Sequence, residues 1–142
     1  MEVFSFLADG IFLALQPVNL ALILIGVTVG LFIGAMPGLG SVNGVAILLP
    51  ITFLVPPASA IIFLAAIYYG AMYGGAISSV TLGIPGASTA VATTFDGRPL
   101  ALQGRASLAL VTAALASFVG GTVATVFFTL FAPLLATVAL NF

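Results

Sequence analysis

Apolar residues run along this chain in long blocks, and the polar positions gather at the joints between them. The blocks are apolar all round rather than on one helical face or at alternate positions, which is the pattern of segments immersed in lipid. Val18 to Met36 carries no charge and, at about 1.5 Å per residue, is long enough to cross the hydrocarbon of a bilayer. Residues 58–82 and 106–131 predict two further spans. Residues 1–17 hold Ser5, Asp9 and Gly10 and run into Gln16-Pro17, which predicts a short interfacial helix lying on the membrane. Val45 to Val55 is shorter, is interrupted at Pro50 and is closed by Pro56-Pro57. Residues 37–57 therefore predict a re-entrant or broken helix, too short to span, that begins at Ser41 or Asn43, both good N-capping types.

Residues 83–105 predict a break and then a polar loop, because Asp96-Gly97 and Arg98-Pro99 are turn dipeptides. Ala132-Pro133 predicts a division of the last apolar block, after which residues 133–142 start another helix. The abrupt end at Asn141-Phe142 leads to the expectation that the sequence is the N-terminal piece of something larger.

Composition agrees with the pattern. Of the 142 residues 63% are hydrophobic and 4% charged, too few charges to cover a soluble domain of this length. Strands of a membrane barrel would alternate apolar and polar positions. The fold class predicted is an all-α integral membrane protein of about four to five helical segments, including the broken or re-entrant element. Cysteine and histidine are absent, which removes disulfides, thiolate or imidazole metal sites and cysteine or histidine catalysis from this chain. A net charge of −1 with no basic stripe gives nucleic acid nothing to bind. The N-terminus lacks the positive region of a cleaved signal peptide and is expected to stay on the mature protein.

Two stretches interrupt the apolar blocks in the same way. Gly34-Ala35-Met36-Pro37-Gly38-Leu39-Gly40-Ser41-Val42-Asn43-Gly44 and Leu82-Gly83-Ile84-Pro85-Gly86-Ala87-Ser88-Thr89 share an apolar-Pro-Gly-small pattern. Lipid offers no hydrogen bonds to unwound backbone, so irregular chain at membrane depth survives only inside protein or beside a water-filled cavity. Two interrupted helices whose loose ends converge are predicted. Gly26, Gly30, Gly34 and Gly38 recur at every fourth position, as do Ala66, Gly70, Gly74 and Ser78, a spacing that suits close helix packing. Tyr68, Tyr69 and Tyr73 fit either interface anchors or the wall of a solute path. Arg98 and Arg105 are the chain's two cations, and the positive-inside rule puts their loop in the cytoplasm. A local ion pair between Asp96 and Arg98 is the simplest role for those two charges.

A helix N-terminus carries unpaired N–H groups and about half a positive charge, so two of them face to face would hold a carboxylate or phosphate. The candidate contacts are Pro37, Gly38, Gly40, Ser41, Asn43 and Gly44 in the first break and Pro85, Gly86, Ser88 and Thr89 in the second. No lysine or arginine lies in a predicted span, which leaves the anion to backbone dipoles and cations. No carboxylate lies in one either, which favours sodium over a proton as the coupling ion, held by carbonyl and hydroxyl oxygens. No bound cofactor is called for. A transporter core or a channel would satisfy these features, as would a non-transporting membrane scaffold whose glycine faces pack against partner helices. An intramembrane hydrolase lacks its residues.

The runs Gly34 to Gly40, Leu48-Leu49-Pro50, Ile67 to Gly75, Ile84 to Ala87, Asp96 to Ala101 and Gln103 to Ala106 closely resemble the large membrane subunit of the tripartite tricarboxylate transporter family, in one order over nearly the whole chain. The resemblance implies a multi-pass protein of the bacterial inner membrane, of which this sequence would be the first part. It implies as partners a small membrane subunit and a periplasmic solute-binding protein that delivers citrate or other carboxylates, with uptake driven by an ion gradient. The resemblance also implies that the chain is part of a larger repeat-built transporter, with related broken helices expected in a later half. By resemblance, the Pro37 to Asn43 and Pro85 to Thr89 segments look like substrate or ion contacts, and Asp96, Gly97 and Pro99 look like a shared loop signature of unassigned role.

Overall fold

The computed structural model describes residues 2–139, and these are almost entirely helical. Helix α1 covers Glu2–Ala14 and α2 covers Pro17–Ala35. Gln16-Pro17 separates them, and Pro17 opens α2 where a missing N–H costs nothing. Asn19 is buried one turn into α2 and donates from Nδ2 to the Leu13 carbonyl at 2.7 Å, tying the two helices at their joint. Helix α3, Gly40–Leu48, passes directly into a 3-10 helix, Leu49–Leu54. Then come α4 (Pro57–Leu82), a 3-10 turn at Ser88–Ala90, α5 (Val91–Leu102) and α6 (Ala106–Ala139). Pro17–Ala35, Pro57–Leu82 and Ala106–Ala132 are each long and apolar enough to cross a membrane.

The centre of the molecule is the contact between α2 and α4, and glycine makes it. Gly26 lies against Phe63 and Ala66, Gly30 against Ile67 and Ala71, and Gly34 against Ala71. From the other side, Gly70 meets Val27 and Gly74 meets Leu31 and Ala35. A side chain at Gly30, Gly34, Gly70 or Gly74 would fall on a carbonyl oxygen of the facing helix. Lipid gives helices no hydrophobic reason to associate, so backbone-to-backbone van der Waals contact of this kind is what holds them together. Gly38 does not continue the stripe, since it lies beyond the helix end with φ +89° and open space around it.

The residue numbers on the two sides of that contact rise together, so α2 and α4 run parallel. Of the two alternatives for residues 37–57, the parallel pair requires the broken helix and not the re-entrant one. Chain leaving the end of α2 must return to the opposite end of the pair before α4 can begin, and α3 with its 3-10 extension makes that journey. Nine α-helical residues and six 3-10 residues advance about 25 Å, because the 3-10 form rises about 2.0 Å per residue against 1.5. Pro50, which has no N–H to donate, sits where the α-helix gives way to the tighter one.

The chain does fold back on itself at the second break. Gly83 closes α4 in the left-handed conformation, φ +75°. Residues 84–87 then descend beside α4 until Gly86 and Ala87 lie against Gly75, about 12 Å back from Gly83 along the helix. Helix α5 climbs again, with Gly97 against Val80 and Arg98 against Gly83. The polar loop expected over 83–105 is thus largely a helix, and Asp96-Gly97 and Arg98-Pro99 are not turns. Packing overrides their local preference: a methyl group at Gly97 would come within 2.7 Å of Val80 Cγ2. Nor do Asp96 and Arg98 pair. Arg98 donates from Nη1 to the Thr81 carbonyl, at the end of α4 where carbonyls lack helical partners. Helix α5 ends in a Schellman motif, with Gly104 left-handed, its N–H on the Ala101 carbonyl at 3.0 Å and that of Arg105 on Leu100 at 2.9 Å.

Helix α6 runs antiparallel to α4. Tyr73 Oη donates to the Leu110 carbonyl at 3.1 Å, while Tyr69, one turn earlier, faces Ser117 and Gly121 across an open groove. The helix continues through Gly120-Gly121 and past Pro133 to Ala139, so Ala132-Pro133 does not divide it. One proline removes a single helical bond, which a membrane helix tolerates. The expectation for Asn141-Phe142 lies outside the described residues.

Candidate functional site

The two breaks meet. Helix α3 starts at Gly40 and the turn into α5 starts at Ser88, and both starts lie on one cleft of about 370 Å³ beside α4. Eight of the ten residues expected there line it: Gly38, Gly40, Ser41 and Asn43 from the first break, and Pro85, Gly86, Ser88 and Thr89 from the second. Pro37 and Gly44 do not. Pro37 is exposed at the turn after α2, and Gly44 packs against the Ile33 side chain, where a methyl group would come within 2.9 Å of Cγ2. Asp96, Gly97 and Pro99 lie on α5 outside the cleft lining.

Small residues bring the breaks this close. Gly86 sits with its α-carbon against the Gly34 carbonyl, the Ser78 hydroxyl and Gly75. Ser79, fully buried, places its Oγ 2.8 Å from the Gly75 carbonyl and 3.0 Å from the Ala90 carbonyl, so its one proton bridges α4 to the start of α5. Ser78 turns its hydroxyl to Gly75 at 3.0 Å. Neither serine lines the cleft. They hold the backbone of the second break in place.

The expected capping at Ser41 or Asn43 is absent. Leu39 occupies the N-cap position of α3, no side chain caps it, and Ser41 in the first turn sends its hydroxyl elsewhere, to Met72 Sδ at 3.5 Å. Thr89 Oγ1 from the second break donates to the same sulfur, also at 3.5 Å. Met72, on α4, therefore joins the two breaks. Nothing in the sequence singles it out, because its partners come together only in the fold. Tyr68 also lines the cleft, Tyr69 lines the groove toward α6 and Tyr73 is bonded to Leu110, so the three tyrosines separate into three places.

Counted along α4, Met72 and Gly75 lie roughly 4 and 8 Å past the helix midpoint, level with the end of α2, where Ala35 meets Gly74. Two helix starts without side-chain caps bring partial positive charge to it, and Ser41, Ser88 and Thr89 bring hydroxyl oxygens. Such an arrangement can hold a carboxylate on its amide side and a hard cation on its oxygen side.

No solved structure matches this chain. It is 45% identical over all of its 142 residues to an uncharacterized 52.8 kDa protein in the TAR-I ttuC' 3' region of Agrobacterium vitis, and spans 28% of that protein. A sequence model of the tripartite tricarboxylate transporter TctA family matches residues 20–142. Both interrupted segments and the cleft between them fall inside that match, and the chain belongs to the tripartite tricarboxylate transporter TctA family.

Proposed function

We propose that this chain forms the first part of the large membrane subunit of a carboxylate uptake system, and that the cleft between its two breaks contacts the cargo and its coupling ion. The observation that carries this is the convergence of two interrupted helices on one cleft beside α4. Backbone amides at Gly40-Ser41 and Ser88-Thr89 take the carboxylate, and hydroxyl and carbonyl oxygens take the ion, which is sodium rather than a proton because, among the described residues, no carboxyl side chain lines the cleft. The system sits in a bacterial inner membrane and works with a small membrane subunit and a periplasmic solute-binding protein, as the family name's three parts suggest.

Asn43 and Ser88 lie exposed on the cleft wall, one from each break. Uptake of radiolabelled citrate and other di- and tricarboxylates by cells carrying the full-length transporter is therefore expected to fall sharply for Asn43→Ala and Ser88→Ala, with normal amounts of protein in the membrane. Unaltered uptake in both variants refutes the assignment.

The alternative is a non-transporting membrane scaffold, favoured by the open groove of about 670 Å³ along α6, where Ser117, Gly121, Thr125 and Thr129 form a smooth stripe suited to another helix. The same uptake assay separates the two, since a scaffold transports nothing.

A further inference from the structure

Met72 is a thioether placed between two hydroxyls, one from each break. Sulfur in methionine has lone pairs and no proton, so in both contacts the hydroxyl must be the donor. Each hydroxyl has a single proton. Once it points at Met72 Sδ, both lone pairs of Ser41 Oγ and Thr89 Oγ1 are left to face other groups. A hydroxyl free to rotate could turn its proton toward an anion instead, whereas these two direct theirs at the sulfur.

We infer that Met72 is a positioning residue that fixes Ser41 and Thr89 as acceptors and so makes their side of the cleft a site for a hard monovalent cation. This rests on the assignment of the cleft to transport and adds which atoms meet the ion. Three further features agree. The Asn43 amide and the Ser88 hydroxyl on the same lining supply further oxygens. Among the described residues the cleft lining has no lysine or arginine to compete with a cation and no carboxylate to neutralise it. The negative charge that balances the ion is then the cargo's own, which makes cation and carboxylate mutually dependent for binding. A thioether suits this task because it accepts hydrogen bonds weakly and binds sodium poorly, so it orients the hydroxyl oxygens without becoming a ligand itself.

The test uses the full-length transporter with its partner subunits, and reads the sodium concentration that gives half-maximal uptake of radiolabelled citrate, with choline replacing sodium. Met72→Leu keeps the volume and removes the acceptor. It is expected to raise that concentration about tenfold, the worth of one to two hydrogen bonds. Met72→Gln returns an acceptor through its amide oxygen and is expected to shift the requirement far less. A purely structural role predicts the reverse order, since an apolar leucine would fit a packing position better than an amide.

Thr89→Val, which deletes the oxygen, separates this inference from the assignment beneath it. If Thr89→Val raises the sodium requirement while Met72→Leu does not, or if Met72→Gln is worse than Met72→Leu, the role of Met72 is overturned and the cleft stands. If Thr89→Val leaves both uptake and its sodium dependence unaltered, both fall. Wild-type uptake that survives full replacement of sodium by choline also overturns the cation site.

Discussion

Gly86 and Gly34 meet backbone to backbone: a methyl group added to Gly86 would land on the Gly34 carbonyl oxygen and within 2.9 Å of the Gly75 α-carbon. The first residue belongs to the second break and the other to the last turn of α2, so this contact fixes how far apart the two halves of the cleft lie. Backbone cannot give way as a flexible side chain can. Gly86→Ala in the full-length transporter is expected to cut carboxylate uptake at least about tenfold, since misplacement of a binding group by an ångström has effects of that size or larger. Gly10→Ala, a helical position with nothing within 4 Å, is expected to leave uptake as it is. Parallel uptake assays normalised to membrane protein decide it, and equal activity in both variants refutes the role of the contact.

The α2–α4 pair is predicted to be intolerant of side chains at its glycine contacts, Gly30 and Gly74 among them. Alanine at either position overlaps a carbonyl oxygen of the facing helix and is expected to destabilise by about 1–3 kcal/mol. Gly120 and Gly121 on α6 have no neighbours within 4 Å, and alanine there should be neutral or stabilising by up to about 1 kcal/mol. Thermal unfolding in detergent, followed by helical circular dichroism, measures both classes.

Much of this was legible in the apolar blocks and their joints. Three long helices and two Pro-Gly breaks follow from where lipid-compatible residues start and stop. The convergence of the breaks follows from the need to shelter unwound backbone. What was not legible depended on neighbours. The crossing made by α3 was hidden because length was counted at the α-helical rise, while Pro50 switches the chain to a longer one. Helix α5 was hidden because Asp96-Gly97 and Arg98-Pro99 are turn formers locally, and only Val80 and Thr81 make them helical. Met72 carries no local signal at all, since its role exists only once Ser41 and Thr89, from opposite breaks, have been brought to one sulfur.

Arg98 is predicted to stabilise the end of α4 and to owe nothing to Asp96. Its guanidinium supplies a donor to the Thr81 carbonyl and a positive charge near the helix C-terminus. Arg98→Gln is expected to cost about 0.3–1 kcal/mol, less at high salt. Asp96→Asn should leave Arg98 and its bond to Thr81 undisturbed. Unfolding midpoints at low and high salt test the pair. An Asp96→Asn loss equal to that of Arg98→Gln, and non-additive with it, would restore the ion pair instead.

The parallel course of α2 and α4 gives a topological prediction that a re-entrant segment cannot satisfy. If residues 37–57 crossed back, Gln16 before α2 and Ala58 at the start of α4 share one side of the membrane, and Gln103 after α5 lies on the other. If that segment only dipped in and out, Gln16 and Ala58 would lie on opposite sides. The chain has no cysteine of its own, so single replacements Gln16→Cys, Ala58→Cys and Gln103→Cys report without background from this segment. All three positions are exposed. With Arg98 and Arg105 drawn to the cytoplasm, a membrane-impermeant thiol reagent added to intact spheroplasts is expected to label Gln16→Cys and Ala58→Cys and to spare Gln103→Cys until the membrane is opened. Labelling of Gln16→Cys and Ala58→Cys from different sides would separate α2 from α4 as a parallel pair, and with it the placement of both breaks on one cleft.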